Sequence, residues 1–156
     1  MKPKMKRKDL MTKTDISNAV IDVLSKSILS SEDNILNKSL IVYHYYSELE
    51  SGGHESLFKW FGQEIKDMGI DNYLNKLIKI LEEIGANHYV TLEKKYCKKM
   101  WNLYVALEND ENYEDEFYNI VGEATDEYYK FNDELRELLE TYFVTIYTYL
   151  IEVIED

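Results

Sequence analysis

Apolar residues recur three and four positions apart over most of this chain, the spacing that lines one face of an α-helix. From Asp15, the residues Ile16, Val20, Val23, Leu24 and Ile28 form a first stripe, which the polar positions between Ser25 and Ser31 dilute. Ser30-Ser31-Glu32-Asp33 has the Ser-x-x-Asp form of a capping box ahead of Ile35 and Leu36. The second stripe runs on through Leu40, Tyr43 and Leu49 to an expected stop at Gly52-Gly53. Leu57, Phe58, Trp60 and Phe61 then crowd a short helical stretch ending near Gly62 or Gly69, expected as a buried elbow. Asp71 is placed to cap the clearest stripe, Leu74, Leu77, Ile78, Leu81 and Ile84, which Gly85 ends.

Asn87 is placed to cap a further helix from Val90 to Leu107, broken by the acidic loop Glu108-Asn109-Asp110-Glu111-Asn112. Phe117, Ile120, Val121 and Ala124 predict a helix between Tyr113 and Lys130, with Gly122 as its weak spot. From Asn132, an apolar face reaching Leu150, Val153 and Ile154 predicts a closing helix, period 3.6 fitting better than alternation despite Val144, Thr145 and Thr148. The pattern predicts an all-α, single-domain bundle of about six or seven helices, with those from Asp71 and Asn132 central to the core. Residues 1–13 have no apolar period and are expected to form a flexible basic arm, with 14–156 a single acidic helical domain.

Composition supports that picture. Only 6 Gly and 1 Pro occur in 156 residues, too few for the turns of a many-stranded sheet, while 45% hydrophobic residues are enough to build a core. Cys97 stands alone, so no intrachain disulfide forms, and no long apolar run follows the basic start, so a cytoplasmic protein is expected. The net charge of −12 is unevenly spread: residues 1–13 carry +5, leaving −17 on the rest. Such a body repels nucleic acid and anionic membrane and attracts basic protein surfaces. Between Glu108 and Glu140 thirteen acids face only Lys130 and Arg136. One reading of this stretch is a solvated face; the other is a surface that competes with DNA phosphates for a basic protein face.

Recognised chemistry is sparse. His44, His54, His88 and Cys97 fall in no metal-ligand spacing, so neither metal nor cofactor is expected. Ser51-Gly52-Gly53-His54 is neither a P-loop nor a dinucleotide fingerprint, and Gly52, Gly53 and Gly85 are expected to shape turns. His44 and Glu48 share a helix face, which leaves open an acid–base pair beside the glycines. Cys97 is expected in the core, and the excess of tyrosine, including Tyr43, Tyr45, Tyr46, Tyr128, Tyr129 and Tyr149, puts several rings off the core face, where tyrosine favours interfaces.

Three segments carry a family resemblance. Leu49-Glu50-Ser51-Gly52-Gly53 followed by Phe58-Lys59-Trp60-Phe61 resembles the Gly-Gly turn and aromatic cluster of the bacterial DNA-mimic-protein-like family, departing from its pattern at Ser51 and His54. Leu81-Glu82-Glu83-Ile84-Gly85-Ala86 is similar to a family helix ending in Ile-Gly-Ala, and Asp126-Glu127-Tyr128-Tyr129 with Leu138-Leu139-Glu140-Thr141-Tyr142 completes the match. The resemblance, over about residues 35 to 150, implies an all-helical fold and, as for the family's namesake, a carboxylate surface that occupies the DNA-binding face of a transcription factor.

The expected function is therefore non-catalytic binding of a basic protein, such as a transcription factor or other DNA-binding protein. The expected surface comprises Glu108, Asp110, Glu111, Glu114, Asp115, Glu116, Glu123, Asp126 and Glu127. Two alternatives stay open: an immunity-type neutraliser of a basic toxin, and an enzyme with a pocket near Gly52-Gly53. Self-association as a homodimer, through the basic arm and the acidic body, is a further expectation.

Overall fold

The computed structural model describes residues 2–156. Six α-helices account for most of the chain, with a short parallel strand pair joining its two ends. Helix α1 (Lys13–Ser25) opens on Thr12, whose side chain accepts from the Asp15 N–H while Asp15 accepts in return from the Thr12 N–H. Helix α2 (Ile35–Met68) is capped by Asn34 rather than by the Ser30–Asp33 box. Ser30 instead bonds the buried Asn37 amide, at 2.8 and 3.0 Å, which ties the loop to the first turn.

Helix α2 does not stop at the glycine pair. It kinks there and resumes, because Gly53 takes φ +72° and ψ −162°, a backbone region that side-chain-bearing residues rarely enter. A Cβ on Gly53 would lie 2.8 Å from the Thr125 hydroxyl, so the same glycine also allows helix α5 (Glu114–Tyr129) to approach. In the stretch expected as a buried elbow, Leu57, Phe58 and Phe61 are buried but Trp60 is 68% exposed.

Helix α3 (Ile70–Glu83) follows Gly69, with Asp71 in its first turn and no side-chain cap. Helix α4 (Asn87–Leu107) likewise starts one residue earlier than a cap at Asn87 requires, after Gly85 at φ +82°. Helix α6 (Glu134–Leu150) packs on α1 and α2, while α3 packs on α2 and α4. The hub is α2, which touches α1, α3, α5 and α6, so the core is not centred on the helices from Asp71 and Asn132. Leu40, Val42, Leu49, Leu57 and Ile65 on α2 are fully buried.

The arm and the end of the last helix both differ from expectation. Strand β1 (Lys4–Lys6) pairs in parallel with β2 (Glu152–Ile154), matching Lys4 with Glu152 and Met5 with Val153. Met5 packs on the core, Leu10 is buried, and Arg7 pairs with Glu155 at 3.0 Å. Residues 4–10 are thus built into the fold, and α6 gives way to a strand at β-branched Ile151, Val153 and Ile154.

Candidate protein-binding surface

Helix α5 turns Phe117, Val121, Ala124 and Tyr128 inward. At 100° per residue the opposite face carries Asp115, Asn119, Gly122, Glu123 and Asp126, all exposed. Asp115 and Asp126 are eleven residues apart, about 16 Å along the axis at 1.5 Å per residue. Glu114, Asp115 and Glu116 occupy the first turn, where the unpaired N–H groups and helix dipole favour negative charge.

The nine expected surface acids divide into two groups. Glu108 pairs with Lys66 at 3.1 Å, Glu127 lies 3.6 Å from Lys95, and Asp110 caps the short 3-10 turn Glu111–Tyr113 by accepting from the Asn112 N–H. Glu111, Glu114, Asp115, Glu116, Glu123 and Asp126 are exposed and carry no ion pair among the described residues. Two further acids of the stretch are also spoken for, Asp133 by Arg136 at 3.8 Å and Glu134 by His88 at 2.8 Å. The ion pairs thus border the patch and leave its middle uncompensated.

Tyrosines flank this face. Tyr118 is 44% exposed and donates to Glu55 at 2.8 Å, and Tyr129 is 49% exposed with its hydroxyl directed to the Leu49 carbonyl. Their rings offer stiff amphipathic contact beside the carboxylates. Gly122 sits in the middle of the face, where an added Cβ would meet nothing within 4 Å.

Near Gly52-Gly53, His44, Glu48 and His54 are held by different partners. Glu48 accepts from Ser56 at 2.6 Å, while half-buried His44 stacks on Phe61 with ring centroids 4.9 Å apart. His54 is fully buried on another side of the helix, its Nε2 2.7 Å from Glu93. Glu93 also accepts from the Tyr45 hydroxyl at 2.6 Å, and all three side chains are closed to solvent. Burial, reinforced by Glu93, drives the Tyr45 hydroxyl and the Cys97 thiol well above their ordinary pKa ranges, which leaves Cys97 an inert core thiol.

This buried network was not anticipated. Its signal in the sequence is a carboxylate on an apolar stripe: Glu93 lies three residues after Val90 and four before Cys97. Among the described residues no group of three or more His, Cys, Asp or Glu is placed to hold a metal ion, and no helix is long and apolar enough to cross a membrane.

A family model described as DMP19-like protein matches residues 33–149. No curated protein and no solved structure matches the chain.

Proposed function

The chain belongs to the DMP19-like protein family, and from that premise we propose that it is a non-catalytic DNA mimic whose α5 face occupies the basic surface of a DNA-binding protein. DMP19 itself is a DNA-mimic protein, and the observation carrying the reading to this chain is the exposed, uncompensated row Asp115, Glu123 and Asp126. Glu123 and Asp126, three residues apart with no base between them, repel each other on the helix, a cost offset when a partner supplies the counter-charge. A protein face shaped for phosphates meets these acids with its Lys and Arg, giving fast, salt-sensitive association. Glu108 and Glu127, held by Lys66 and Lys95, act as the border of the surface and contribute less.

The test takes a DNA-binding partner recovered from the host by salt-gradient elution and measures its affinity for the parent chain and for the triple variant Asp115→Asn, Glu123→Gln, Asp126→Asn. The variant is expected to bind at least tenfold more weakly, with a shallower dependence on salt, and a duplex of the partner's own target is expected to compete with the parent. Unchanged affinity together with no competition by DNA removes the proposal.

A further inference from the structure

We propose that the cleft between α1, α2 and α6 is a binding site for a small zwitterion, a free α-amino acid with an apolar side chain. The cleft encloses about 300 Å³, at the small-molecule end of ligand pockets, and it lies apart from the α5 face. Three helices contribute. Helix α6 places Arg136 and Glu140 one turn apart on the cleft wall. The ion pair made by Arg136 is with Asp133, a loose 3.8 Å, rather than with Glu140, so two opposite charges face the cleft without neutralising each other. One helical turn apart on the same face, the two side chains are placed to engage opposite ends of one small ligand.

The remaining walls fit the rest of such a ligand. Leu139 and Phe143 are buried and give an apolar floor, which would seat an aliphatic or aromatic side chain. Tyr43 and Tyr46, both half-buried, line the side provided by α2 and add aromatic wall beside Glu140. Ser17 on α1, 4% exposed, also lines the cleft. The Tyr46 hydroxyl senses this charge pattern: burial and Glu50 push its pKa up, Arg136 pulls it down, and Asp133 and Glu140 add to the rise.

Charge separates this class from simple anions. A simple anion would meet Glu140 as well as Arg136, whereas a zwitterion is offered an opposite charge at each end.

The experiment is calorimetric titration of the full chain with L-leucine and L-phenylalanine, alongside N-acetyl-L-phenylalanine, L-phenylalaninamide and glycine, which lack the ammonium, the carboxylate and the side chain respectively. Saturable binding of L-leucine or L-phenylalanine is expected, with each control at least tenfold weaker. Arg136→Gln is expected to abolish discrimination against the amide, and Glu140→Gln discrimination against the N-acetyl compound. Asn18→Trp, placed at an exposed position of the lining, is expected to block binding while the helical circular dichroism stays unchanged. Absence of saturation by either amino acid at millimolar concentration, or equal binding of the amide and the free acid, overturns the proposal.

Discussion

Glu93 takes two hydrogen bonds on one oxygen, from Tyr45 and His54, in a part of the core from which water is excluded. Glu93 also acts on the buried Cys97 thiol, raising its pKa, so the network reaches a fourth buried side chain. Glu93→Ala would strand the Tyr45 hydroxyl and the His54 ring, and a loss of about 2 to 5 kcal/mol is expected in urea denaturation, the cost of leaving two buried polar groups without their partner. His44 gives a pH test. Burial lowers its pKa below the ordinary value, with Glu48 and Glu64 pulling it partly back. The folded chain therefore takes up this proton less readily than the unfolded one, so the contribution is fully present above about pH 6.5 and is lost as the pH falls below it. The melting temperature of His44→Phe, which keeps the stacking on Phe61, is expected to fall less on acidification through that window than that of the parent.

Two glycines show how one residue type acts differently within helical segments. Gly122 has helical neighbours on both sides, an exposed surface and open space where a Cβ would stand, so Gly122→Ala is expected to stabilise the fold by about 0.5 to 1 kcal/mol in chemical denaturation. Gly53 has a positive φ and Thr125 against it, so Gly53→Ala is expected to destabilise by more than that amount. The sequence marks the Gly52-Gly53 pair as a helix stop and Gly122 as a weak spot within a helix, but only the structure shows that α2 kinks at the pair and continues. The stripes themselves were legible, and α3 and α4 run close to where their spacing places them. Helix ends were less so: Ser30–Asp33 has the form of a cap, yet Asn34 does the capping, because several nearby polar side chains can reach the same N–H groups and tertiary contacts choose among them.

Across the whole molecule, the two ends meet. Strand β1 shields β2, Met5 packs on the core, and the Arg7–Glu155 pair is exposed and contributes little. A variant lacking residues 2–9 is expected to lose about 1 to 2 kcal/mol in urea, roughly the worth of one partly buried apolar side chain and a short ladder, while its helical circular dichroism persists. An unchanged midpoint would show that the strand pair adds nothing to the fold. Local spacing was enough to establish the helical class, the apolar faces and the acidic excess of residues 108–140, because helix periodicity and charge are properties of neighbours in the chain. The strand pair, the burial of His54 on Glu93, the hub role of α2 and the division of the carboxylates into paired border and open centre depend on partners that are distant in sequence. His54 meets Glu93 and Lys66 meets Glu108 only after the helices have packed, so the tertiary structure alone decides which polar groups are paired inside the protein and which stay open.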